Sequence, residues 1–204
     1  MTRGFLPLLG LVLLAGVAGL GWGTDGFRAV TTEGARRLTI EHRRPAIPDV
    51  ALIDQDGARF SPSTYRGHVL LVEFIYTDCP RICGVLGDDF RRLRDRLRHD
   101  GGAPGQADLL SISFDPTHDD SPALRAYGAR FGAAAPRWRI AVPADKAGLR
   151  ALLTSFGVVV IADPLGGFIH DGAVFVVDRA GRLVRILDPD APADMLVRAV
   201  RSVS

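Results

Sequence analysis

Residues 69–76 read Val-Leu-Leu-Val-Glu-Phe-Ile-Tyr, a nearly continuous apolar run rich in β-branched side chains. Successive residues of a strand point to opposite faces. A run apolar at almost every position therefore leaves no face for water. It must lie at the centre of a sheet covered on both sides. This excludes a sheet with one solvated face and points to a layered α/β architecture.

The flanking segments supply the covers. Leu86, Phe90, Leu93 and Leu97 recur at i, i+4, i+7 and i+11, one apolar stripe of a helix. Arg91, Arg92, Arg94, Arg96 and Arg98 fill the remaining positions and read as a solvated face rather than an anion site. Residues 108–114 form a second central strand, 121–131 a helix, 138–142 a short strand, 144–156 a helix and 158–162 a strand. Strands 173–177 and 183–187 join through Asp178-Arg179-Ala180-Gly181, a hairpin turn, and residues 193–200 close the chain as a helix. Upstream, 51–53 and 58–60 make a short hairpin about the turn 54–57. The predicted architecture is a thioredoxin-like mixed sheet flanked by helices, with extra elements.

A separate segment precedes this domain. Residues 5–23 carry no charge, and 19 residues of helix span ~28 Å, near the ~30 Å core of a bilayer. Trp22 stands where an interfacial aromatic belongs. The competing reading is a signal peptide cleaved after Gly16-Val17-Ala18. The expected organisation is a membrane anchor at 1–23, a polar tether at 24–48 and one domain at 49–204. Arg3 marks the inner side, so the C-terminal domain is expected outside the cytoplasm, in the periplasm of a bacterial inner membrane. The net charge of +2 excludes a strongly basic nucleic-acid binder.

The chain has 2 cysteines, Cys79 and Cys83, which excludes a disulfide-dense scaffold and a four-cysteine zinc site. Both lie just past the central strand and at the start of a helix. The carboxyl ends of strands are where open α/β sheets bind ligands, and a helix N-terminus lowers a thiol's pKa. A spacing of four puts both sulfurs on one face of the first turn. The pair suits either disulfide exchange or a soft metal ion such as Cu(I), with imidazole as a third ligand. Two inert buried thiols are the bland alternative.

Of the 5 histidines, His42 lies in the tether, His68 begins a strand, His99 ends the long helix and His118 sits in a polar loop. His170 differs. It follows the glycine-containing loop 163–169 and precedes the strand at 173–177, the loop that faces the cysteines in a thioredoxin-like topology.

Thr77-Asp78-Cys79-Pro80-Arg81-Ile82-Cys83 resembles the Thr-x-Cys-Pro-x-x-Cys motif of the SCO/SenC family. Residues 111–122, Ser-Ile-Ser-Phe-Asp-Pro-Thr-His-Asp-Asp-Ser-Pro, resemble its Ser-x-Asp-Pro-x-x-Asp-x-Pro segment, and His170 matches its distal histidine. The resemblance covers about residues 48–200. It implies a copper chaperone assisting assembly of cytochrome c oxidase at its Cu-A centre, with Cys79, Cys83 and His170 as copper ligands. Its implied partners are the copper-bearing oxidase subunit and a copper donor protein. One departure is local: many members carry Asp directly before the histidine, whereas here Ile169 precedes it and Asp171 follows. The alternative function is a thiol-disulfide oxidoreductase acting on the cysteines of a copper site or of other extracytoplasmic proteins. A thioredoxin-like peroxidase is disfavoured, because Val72 and Tyr76 stand where its Pro and Thr would be.

Overall fold

The computed structural model describes residues 5–24, 26, 31–79, 82–99, 107–164, 166–170, 172–188 and 191–203. The chain divides into two units, Met1–Arg43 and Arg44–Ser204. In the first, α1 (Phe5–Gly23) is followed by α2 (Thr32–Arg43). Leu11, Leu14 and Leu20 of α1 are exposed. Among the described residues no helix is long and apolar enough to cross a membrane. The described side chains of α1 begin at Gly10, so they account for only ~21 Å of helix. The remainder of the expected anchor lies outside the described side chains.

Helix α2 falls within 24–48, where a polar tether was expected. Its cause is local. Thr31 Oγ1 accepts the Gly34 amide at 3.0 Å as an N-cap. Glu33 accepts from Arg36 and Arg37 one turn on, at 2.7 and 2.8 Å.

The second unit is built on a seven-stranded sheet in the order β2-β1-β5-β4-β3-β8-β9. The strands are β1 (Leu52–Asp54), β2 (Arg59–Phe60), β3 (Val69–Ile75), β4 (Ala107–Ser113), β5 (Trp138–Pro143), β8 (Val174–Val177) and β9 (Leu183–Leu187). Every residue of β3 is buried, as the apolar run requires. Strands β3 and β4 run parallel, with Val69 opposite Ala107 and Ile75 opposite Ser113, so both end at one edge. Strand β8 is antiparallel to β3, with Leu70 opposite Val177 and Val72 opposite Phe175. The chain therefore enters β8 at the edge where β3 leaves.

Helices α3 (Ile82–His99) and α4 (Ser121–Phe131) cover one face, where Trp138 meets Phe90 and Phe131 at ring separations of 5.8 and 6.5 Å. Leu93 of the predicted apolar stripe is also buried. On the other face Phe156 of α5 (Lys146–Phe156) packs on Phe74 and Phe175 at 5.2 and 5.1 Å. Helix α5 starts two residues later than expected because Asp145 is its N-cap, accepting the Gly148 amide at 2.7 Å. Helix α6 (Ala193–Arg201) packs on α3. The expected strand at 158–162 is shorter, β6 (Val160–Ala162), and stands outside the main sheet. It pairs with β7 (Phe168–His170), a segment expected as loop.

Glu73 is the one acidic residue of β3 and is fully buried. One carboxyl oxygen accepts the Ser111 hydroxyl at 2.5 Å, and Ser111 Oγ in turn accepts Trp138 Nε1–H at 3.0 Å. The second oxygen has no hydrogen-bond partner among the described residues. Burial pushes this carboxyl up to about 8 despite the Ser111 hydrogen bond, with Asp89 adding to the rise. The folded chain thus keeps a proton that the unfolded chain releases near 4.5. The associated stability is full below that pH and declines as pH rises to about 8, by at most ~1.4 kcal/mol per pH unit. Urea unfolding across this range is expected to show the decline in the wild type and to lose it in Glu73→Gln. An unchanged slope in the variant would contradict a neutral buried carboxyl.

Candidate metal centre

Past Ile75 the chain turns at the carboxyl edge of the sheet. Tyr76 is buried there, and the Cys79 amide donates to the Tyr76 carbonyl at 3.3 Å, closing a turn. The turn is fastened by Asp119, a residue only 2% exposed. Its carboxylate accepts the Thr77 amide at 3.0 Å and the Thr77 hydroxyl at 2.5 Å. It also accepts the hydroxyl of Ser113, the last residue of β4. Arg130 of α4 donates to the Thr77 carbonyl at 3.1 Å.

The segment between β4 and α4 is itself tied down. The Asp115 amide donates to Ser113 Oγ at 3.0 Å. Its carboxylate accepts Thr117 Oγ1–H at 2.5 Å and meets His118 Nδ1 at 2.7 Å. Burial tends to raise the Asp115 carboxyl, but the hydrogen bonds from Thr117 and His118 outweigh it and hold the group below its ordinary range. His118 thus has a supporting role in this loop. His68 pairs with Asp108 at 2.6 Å next to the opposite, amino end of β3.

Cys79 is partly exposed at the turn, and Cys83 is the second residue of α3. Pro80, Arg81 and the Cys83 side chain lie outside the described residues. His170 ends β7, opposite Val160 of β6. Its ring lies 4.9 Å from that of Phe114 and 6.1 Å from that of Tyr76. Phe168 packs on the same two rings at 5.4 and 5.3 Å. The Phe168 amide approaches Tyr76 Oη at 3.5 Å. Gly167 makes that approach possible. Its φ is +79°, and a Cβ there would sit 2.8 Å from Tyr76 Oη.

The aromatic contacts bring His170 against Tyr76, three positions before Cys79. Among the described residues no group of three His, Cys, Asp or Glu side chains forms a metal cluster. Cys83, the third predicted donor, is outside that set, as is Asp171, the carboxylate that follows His170. The donor types on these elements, thiol and imidazole, fit a soft ion. Sequence reasoning quoted Asp119 within its motif and gave it no role. Phe114 and Tyr76 read in the sequence as strand ends, and Tyr76 also as a departure from a peroxidase pattern; neither carries a sequence signal for supporting His170.

The SCO1/SenC family model matches residues 41–204. The chain belongs to the SCO1/SenC family. Among its relatives, the SCO1 protein homolog of Bacillus subtilis is 22% identical over 155 residues, covering 74% of this chain and 79% of the relative. Coverage of the curated relatives is uneven, 41% of one and 46% of another, so the chain spans under half of some of them. The fold is shared with solved Sco structures. Bradyrhizobium japonicum ScoI with copper bound superposes with a TM-score of 0.65 at 21% identity, covering 78% of this chain and all of that one (100%). BsSco, described as a member of the Sco family of cytochrome c oxidase assembly proteins, gives a TM-score of 0.69 at 21% identity, covering 79% and 94%. The mixed α/β, thioredoxin-like Sco fold expected from the sequence is therefore the fold of this chain.

Asp119→Ala removes the acceptor of three donors and leaves buried Ser113 and the Thr77 amide unsatisfied. The expected loss is on the order of 3 kcal/mol in urea unfolding, with Asp119→Asn intermediate. A loss below ~1 kcal/mol would show that Asp119 does not fasten the cysteine turn.

Proposed function

We propose that this chain is a membrane-tethered copper metallochaperone that delivers copper to the Cu-A site of cytochrome c oxidase. Copper is its cargo. Family membership supports the reading, as does the copper bound by a Sco structure of the same fold. The observation that carries it is the packing of the His170 ring on Tyr76 and Phe114, beside the turn that presents Cys79. Cys79, Cys83 and His170 are the proposed ligands.

The chemistry of transfer follows from the donors. Two thiolates and a neutral imidazole make a three-coordinate set suited to Cu(I), and the same set holds Cu(II) with altered geometry. Cys79 lies on a turn fastened to the sheet and Cys83 on the first turn of α3, whereas His170 lies on a separate hairpin. An acceptor's thiolates can then replace the donors one at a time. In this proposal the uncharged helix α1 anchors the chain in a bacterial inner membrane, with the domain in the periplasm. Tethering to the acceptor's membrane raises the effective concentration of the two. The copper donor protein and the copper-bearing oxidase subunit are the proposed partners.

Titration of the full chain with Cu(I) under reducing conditions is expected to give one tight copper per chain. Cys79→Ser, Cys83→Ser and His170→Ala should each weaken binding by tenfold or more. Efficient disulfide reduction that ignores His170→Ala, together with no tight copper, would instead identify a thiol-disulfide oxidoreductase. In membrane fractionation the chain should resist high-salt washing and come off only with detergent. Release by salt alone would refute the spanning anchor.

A further inference from the structure

An open groove of about 570 Å³ lies beside the His170 cluster. One wall is a single face of α5, with Lys146, Leu149, Arg150 and Leu153 at i, i+3, i+4 and i+7. The other is the segment following β4, led by Phe114, and Val158 and Val159 also line the groove. The floor is apolar. Among the described residues that line it the one carboxylate, Asp115, is engaged by Thr117 and His118. Lys146 and Arg150 are exposed, and no ion pair reaches either among the described residues. Exposed apolar side chains follow Val159 in the chain. Ile161 and Ile169, directly opposed on β6 and β7, are 56% and 59% exposed. They point away from the face that carries His170.

We infer that this groove docks a polypeptide segment of the copper acceptor, one that combines apolar side chains with Asp or Glu. The charge pattern selects the occupant: an apolar trough bordered by two cations that no ion pair engages among the described residues, the nearby Asp115 and Asp145 being held by other donors, complements an apolar segment bearing carboxylates. Phe114 fixes the geometry. It lines the groove, and its ring lies 4.9 Å from the His170 ring. A segment seated there touches the residue that supports the proposed imidazole ligand, and brings the acceptor to the edge where copper would leave. The inference deepens the copper-delivery proposal and rests on it for the partner's identity.

Lys146 makes a direct test possible because it is the only lysine in the sequence. Phage-displayed random dodecapeptides would be selected on the full chain in phosphatidylcholine nanodiscs and counter-selected on the Lys146→Glu/Arg150→Glu double variant. Enriched peptides should pair Leu, Phe or Met with Asp or Glu. A carbodiimide should join their carboxylates to Lys146. Their affinity should fall tenfold or more in the double variant and by less in Arg150→Ala, while both variants still bind one copper. No enrichment over the double variant, or enriched peptides without acidic residues, would overturn the inference. So would saturable binding of dodecanoate that the double variant abolishes, if no peptide enriches, since the groove would then take an acyl chain. A wild type that binds no copper but selects acidic apolar peptides would refute copper delivery and support the groove.

Discussion

The carboxylate of Asp119 accepts the amide and hydroxyl of Thr77 and the hydroxyl of Ser113, and it is almost wholly withdrawn from solvent. These bonds join the end of β4 to the turn that follows β3. The two strands are already in parallel register over their full length, but register alone does not shape the chain beyond Ile75. Asp119 does so by meeting a backbone donor that would otherwise be buried without a partner. The position of Cys79 depends on this fastening. Tyr76 depends on it too, because it leaves the strand one residue before Thr77, and Tyr76 supports the ring of His170.

The parts of the fold legible in the sequence are those with a sustained period. Residues 69–76 declared a strand buried on both faces. The helix at Ser121–Phe131 was predicted with both of its bounds, since Asp120 caps one end and Gly132 takes a left-handed conformation at the other. The parts that escaped lack a period long enough to read. Strand β7 has three residues, inside a stretch whose glycines signal a loop. Helix α2 buries only Leu38 and Ile40, two positions apart rather than at helical spacing, and is capped by Thr31, so its arginines and the prolines that follow it resembled a tether.

The candidate site divides in the same way. The cysteine pair and His170 stood out by residue type and by their place relative to the central strand. Asp119 did not, because its partner Thr77 lies 42 positions away and the bond exists only once β3 and β4 are aligned. Nor did the groove, whose walls come from α5 and from the segment after β4. Glu73 falls between these cases. A lone acid in an apolar run is visible in the sequence, but its protonation follows from complete burial between strands and helices that meet only in the fold, against the opposing pull of the Ser111 hydrogen bond.

The hairpin of β6 and β7 forms a two-stranded sheet of its own, apart from the seven strands of the main sheet. A small unit held by its own ladder and by ring contacts can open locally at a free energy well below that of global unfolding. Opening it would leave the ladder of β3, β4 and β8 intact. In the proposed copper site the lifetime of the imidazole on the metal is then set by a local equilibrium, decoupled from how firmly the domain resists denaturation. Amide hydrogen exchange would see this as a hairpin that trades protons quickly on a sheet that trades them slowly.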